Sequence, residues 1–210
     1  MNYVLLACRM VVGLTFLVSL ASKLRGRESW SRFAESTVRL LPGRTEARPG
    51  QRLGEQLGER LGEQLGEQLG ERLGERRHVL AAAVTVMEGA VVGLTAVPDA
   101  AAAAFTVALA ALVAFSFVIH AAIRDGRAIP CHCFGGRTSP VGPADLARNA
   151  LLGLIALTGL ALTVAGPVRG PDEPAGAAVA FLAALLVTVL VVLTGEIAEL
   201  FGLTRESGWR

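Results

Sequence analysis

Charge is what this chain has least of for its length. Charged residues make up 18% of 210 positions against 52% hydrophobic ones, and the mean hydropathy is +0.52. A soluble domain is about one quarter charged. Too little polar side chain is present to cover a water-facing surface, so the composition implies an integral membrane protein. Aromatic residues are scarce as well, at 5%. The arginines crowd into short flanks and one repeat, with no basic face carrying aromatics on which bases stack, and this excludes a nucleic-acid partner. Cysteine occurs three times. So small and odd a number excludes a disulfide framework of the secreted kind and leaves any thiol chemistry local.

What the chain does have is long apolar runs. Five segments, 3–21, 79–97, 100–122, 146–165 and 177–193, approach the ~20 residues needed to cross a ~30 Å hydrocarbon core. All are expected to be helices, because a spanning helix satisfies its own backbone groups in lipid. The first run is longer than a signal-peptide core and has no small-residue cleavage site behind it, so it is expected to remain as a membrane helix. Pro98-Asp99, the loop from Gly126 to Pro143, and GPVRGPDEP at 166–174 mark breaks. The short break at Pro98 predicts a tight hairpin between the second and third spans. The expected fold is an all-α, multi-pass bundle in the cell membrane. Its parts are a first span with an interfacial segment (1–42), a low-complexity loop (43–78), spans two to four with a cysteine loop at 129–143 (79–165), and a linker, fifth span and tail (166–210).

Orientation follows from basic residues, which favour the cytoplasmic side. With the N-terminus outside, all 20 lysines and arginines except Arg9 and Arg169 fall in cytoplasmic parts. The cysteine loop is then cytoplasmic. Residues 52–75 repeat a four-residue LGE unit, RLGEQLGERLGEQLGEQLGERLGE. Leucine every fourth residue drifts about 40° per unit on a helix, and each glycine costs about 1 kcal/mol relative to alanine. This reads as an expanded repeat in a tolerant loop. Before it, SWSRFAESTVRLLP at 29–42 suits a short helix lying at the membrane interface.

Ionisable groups inside spans are costly in hydrocarbon and normally find partners. Arg9 lies about seven residues into the first span and Glu88 about nine from the end of the second. If the antiparallel helix ends are level, the two share a depth, which predicts an intramembrane Arg9–Glu88 ion pair. Cys8 reads as apolar filling. Lys23 is placed to snorkel to the headgroups, and His120 lies near the end of the third span. Glu196 and Glu199 mark the return to water.

The segment IPCHCFGG, 129–136, brings Cys131 and Cys133 together around His132. Nearby positive charge and a helix N-terminus lower a thiol pKa, and His132, Arg127, Arg137 and the start of the fourth span supply both. A CxC disulfide closes a small, strained ring that is easily reduced, which suits exchange. Two other readings stand beside it. Soft Cu(I) accepts two thiolates, whereas a structural zinc site needs four ligands and only the two sulfurs, His132 and a distant His120 are on offer. The glycines also permit a plain re-entrant turn. No resident cofactor is indicated.

RMVVGLTFLVSLASKLRG (9–26), Phe33, LLP (40–42), MEGAVVGL (87–94) and CHCFGG (131–136) together resemble MauE and the related DoxX-like membrane proteins, the Cys-x-Cys-Phe-Gly element pointing to MauE. The resemblance covers about residues 3–165 without the repeat. It implies a four-helix core plus a fifth transmembrane helix. It also implies a role in methylamine utilisation, supporting maturation, processing or transport of a disulfide-rich exported enzyme subunit. By position it singles out Arg9, Lys23, Glu88, Cys131 and Cys133 as candidate functional residues. A thioredoxin-like protein or the maturing subunit would be the partner. A small-solute transporter or membrane scaffold without redox activity is the alternative reading.

Overall fold

The structure is a computed structural model and describes residues 2–40, 77–124, 142–166 and 173–200. Nearly all of them are helical. Helix α1 spans Asn2–Leu24 and α2 Arg27–Leu40, α3 covers Arg77–Ala96, α4 is Ala101–Arg124, α5 Pro143–Ala165 and α6 Pro174–Leu200. A turn of 3₁₀ helix, Pro98–Ala100, joins α3 to α4. Proline fixes φ and removes a donor there, and the Ala100 N–H bonds back to the Val97 carbonyl at 3.2 Å. α1, α3, α4, α5 and α6 are each long and apolar enough to cross a membrane. This is a polytopic all-α membrane protein. The LGE repeat and the CHCFGG segment lie outside the described residues.

Small residues set the packing. Lipid tails are as apolar as leucine, so helices gain by close contact, which small side chains permit. On α4, Ala101, Ala104, Ala108 and Ala111 are buried at three- and four-residue spacing, with Phe105 between them. Phe105 lies against Gly159 of α5, where any β-carbon would run into the ring. α6 turns Ala180, Ala184, Thr188 and Val191 inward, and its Gly176 lies under the Tyr3 ring of α1. α1 touches α2, α4, α5 and α6. It also meets α3, where Gly13 lies so close to Thr95 that a β-carbon would stand 2.8 Å from Oγ1.

The short helix α2 folds back over one end of this bundle. Its apolar side presents Phe33 and Ala34 to Ala81 of α3, with Trp30 and Val84 packed around them. Trp30 Nε1 donates to His78 Nδ1 at 3.3 Å. The wide outer faces of α4, α5 and α6, including Val113, Phe117, Leu154, Leu182 and Leu186, remain exposed, as surfaces that meet lipid do.

Replacing Gly159 by alanine is expected to lower stability by about 1–3 kcal/mol through overpacking against Phe105. Gly153→Ala on the same helix meets open space and is expected to be neutral or stabilising by up to about 1 kcal/mol. Thermal unfolding in detergent checks both, and adding Phe105→Leu to Gly159→Ala is expected to recover part of the loss.

Candidate functional site

The polar centre of the bundle is built by α1, α2 and α3 together. Ser19 and Lys23 are four residues apart and share one face of α1. Lys23, the chain's only lysine, forms a salt bridge with Glu88 Oε1 of α3, the two side chains being 0% and 4% exposed. Lys23 Nζ also donates to Ser19 Oγ at 3.2 Å, and Ser19 Oγ donates to the same Glu88 oxygen at 3.0 Å. Phe33 of α2 closes the arrangement, its ring centroid 4.3 Å from the ammonium, a cation–π contact. A buried charge is tolerated only when paired and hydrogen-bonded, and each member here supplies part of that pairing.

This corrects two expectations. Lys23 does not snorkel, because α2 folds over the end of α1 and Phe33 seals the ammonium from outside. Arg9 and Glu88 are not brought together. Arg9 Nη2 instead donates to the Thr95 carbonyl at 2.7 Å, one of the last carbonyls of α3 and so without a partner inside its own helix. Equal depth for the two residues requires level helix ends. Instead, Arg9 stands beside Thr95, at the end of α3, while Ser19 stands beside Glu88. Arg9 is thus ten residues, about 15 Å along α1, from the level of Glu88.

A cavity of about 310 Å³ opens beside this centre. Glu88, Thr15 and Ser19 contribute polar atoms, and Phe16, Phe33 and Phe115 contribute rings. Its far wall comes from the start of α5, where Arg148, Asn149 and Leu152 line it. Sequence reasoning missed this wall. Asp145 accepts from the Gly142 N–H at 3.1 Å, capping α5, and Arg148 Nη2 lies 3.4 Å from Asp145 Oδ1. Asp145, Arg148 and Asn149 are all buried. The signal was PADLARN itself, whose acid and base three residues apart share one helix face.

Of the remaining candidates, Cys8 is a free, buried thiol in the main apolar core. His120 is exposed near the end of α4. Among the described residues no group of three or more His, Cys, Asp or Glu side chains gathers to hold a metal ion. Cys131, His132 and Cys133 lie outside the described residues. Their segment leaves α4 at Arg124 and enters α5 at Gly142. The cavity is lined by Ile119 on the last turns of α4 and Arg148 on the first turns of α5, so both anchors of that segment belong to the end of the bundle that contains the cavity.

Residues 67–162 match the family model of methylamine utilisation protein MauE. Over those residues the chain is similar to that family. The match contains Glu88, the cysteine segment and the α5 polar wall, whereas Arg9 and Lys23 precede it. No curated protein and no solved structure matches the chain. The chain is a multi-pass membrane protein, and the matched stretch is similar to a family tied by its description to methylamine utilisation.

Lys23→Met is expected to destabilise the protein strongly, by about 3–5 kcal/mol, because the Glu88 carboxylate is left buried and unpaired. Joining Glu88→Met to it is expected to recover most of that loss. Arg9→Met and Glu88→Met are expected to add within about 0.5 kcal/mol, since they share no partner. Unfolding of the single and double variants in lipid–detergent micelles checks the set, and strong Arg9–Glu88 coupling would contradict the assignment.

Proposed function

We propose that this MauE-family protein supports maturation of an exported enzyme in methylamine utilisation by thiol–disulfide exchange through Cys131 and Cys133. The observation that carries the reading is the family match, which spans the CxC pair and the two helices that anchor it. In the exchange, one cysteine thiolate attacks a disulfide of the partner, forming a mixed disulfide and releasing one partner thiolate. The second cysteine then attacks the mixed disulfide, closing the CxC bond and releasing the other partner sulfur. The partner gains two electrons and the CxC pair loses them. His132 would hold the attacking sulfur in its thiolate form by charge. A thioredoxin-like protein would return the electrons, and the maturing enzyme subunit would be the client.

The second reading is transport or scaffolding without redox change. The cavity beside the Lys23–Glu88 pair favours it, because intramembrane ionisable groups at a cavity mark solute and proton paths.

Trapping separates the two. A Cys133→Ser chain is expected to accumulate a mixed disulfide with its partner on non-reducing gels, and Cys131→Ser with Cys133→Ser is expected to abolish function. Function that survives the double substitution contradicts exchange and favours the second reading. If the basic-residue rule holds and the segment is cytoplasmic, an impermeant maleimide is expected to leave the pair unlabelled in intact cells and to label it after permeabilisation, with Cys8 silent in both because it is buried in the core; labelling in intact cells would reverse the orientation.

A further inference from the structure

The cavity beside Glu88 contains two polar atoms that the fold leaves unsatisfied. Glu88 Oε2 and Thr15 Oγ1 are buried without a hydrogen-bond partner among the described residues. Their residues are 3% and 1% exposed, and both line the cavity. They belong to one wall. Thr15 precedes Ser19 by one turn of α1, and Ser19 bonds the other oxygen of the Glu88 carboxylate. Buried polar groups are nearly always paired, so two orphans facing one cavity call for an occupant.

The chemistry of the wall specifies that occupant. A carboxylate oxygen only accepts, whereas a threonine hydroxyl both donates and accepts. One hydroxyl group on a ligand meets both needs, donating to Glu88 Oε2 and accepting from the Thr15 O–H. Lys23 balances the charge of Glu88, and Arg148 lies beside Asp145, so the cavity favours a neutral molecule. An alkylammonium would bring uncompensated charge, and a carboxylate would meet Glu88 with like charge. Three phenylalanines and Met87 line the cavity together with aliphatic side chains such as Leu80, Val84 and Leu152; the aliphatic wall accepts any apolar body, and the rings and sulfur favour an aromatic one through edge-to-face and sulfur–aromatic contacts. The volume, about 310 Å³, is roughly twice the ~150 Å³ of an engineered apolar cavity that binds benzene.

We propose that this cavity binds a small, neutral, hydroxylated aromatic molecule of the phenol class, held by Glu88 Oε2 and Thr15 Oγ1. A free phenol and the hydroquinone ring of a bilayer-soluble carrier present the same hydroxyl. The site is independent of the thiol chemistry proposed for Cys131 and Cys133.

The test uses the full chain in lipid nanodiscs and equilibrium dialysis of labelled p-cresol, with empty nanodiscs reporting partition into lipid. Saturable binding of one p-cresol per chain is expected. Toluene, which lacks the hydroxyl, and anisole, which cannot donate, are expected to bind at least tenfold more weakly. Thr15→Val keeps the shape, removes the hydroxyl and leaves the ion pair intact, so it is expected to fold normally and weaken p-cresol about tenfold. Ala114→Phe, which fills the cavity from α4, is expected to abolish saturable binding. A short-tailed hydroquinone that binds more tightly than p-cresol supports the site and assigns a bilayer source; a weaker one, still tighter than toluene, supports it and assigns an aqueous source. Binding is expected to persist in the chain carrying Cys131→Ser and Cys133→Ser, so failure of the exchange reading leaves this result untouched. The proposal is overturned if p-cresol merely follows lipid partition, if toluene binds equally well, if Thr15→Val changes nothing, or if ordered water alone satisfies the two atoms.

Discussion

A lysine ammonium and a glutamate carboxylate, both out of reach of water, cannot be left apart, and the rest of this bundle is arranged around their contact. Each ion alone would carry a desolvation cost of several kcal/mol. Paired on Oε1, and bridged by Ser19, they tie α1 to α3 at a fixed register. Phe33 brings α2 onto the same ammonium, so one contact orders three helices. Breaking it by removing one partner strands a charge, which is why such a pair specifies an arrangement more than it adds net stability.

That arrangement also shapes the cavity. Lys23 and Ser19 both engage Oε1, and Oε2 is left without a hydrogen-bond partner among the described residues, as is the Thr15 hydroxyl of the same cavity wall. The small residues that draw α4 onto α5 leave larger side chains, Phe115 and Leu112 among them, around the space at the other end. α5 contributes a buried acid–base pair and Asn149, whose Nδ2 lies 3.5 Å from Ser116 Oγ. The segment bearing Cys131 and Cys133 is anchored at this end of the bundle. The match to the MauE model covers α3, α4 and most of α5 around it.

Much of the fold was legible in the sequence because the bilayer is a strict solvent. Twenty-residue apolar runs have few alternatives to spanning helices, and the five expected spans are the five observed, their ends moved by a few residues where polar first and last turns such as PAD and IR extend the helices. The amphipathic segment after the first span is a helix, as its pattern required. Pairing was less legible. Arg9 and Glu88 share a depth only if their helix ends are level, whereas α1 runs well past the end of α3 and Arg9 caps that end. Lys23 looked like a headgroup anchor because nothing in its own helix shows that α2 returns over it. The α5 wall was missed because Asp145 and Arg148 sit where a span begins and read as flanking charge. Burial there depends on neighbouring helices, which composition along one segment does not report. Cys131, His132 and Cys133 lie outside the described residues, and the chemistry proposed for them rests on residue type and the family-model match.

The most direct measurement uses the chain's single lysine. Solid-state NMR on protein in bilayers, with the lysine side chain labelled in ¹⁵N and glutamate in ¹³C, reports whether the Lys23 ammonium lies against a carboxylate. A dipolar contact within about 4 Å that disappears in Glu88→Gln is the predicted result. No lysine–glutamate contact, or a Glu88 carboxylate found instead against an arginine guanidinium, would contradict the account.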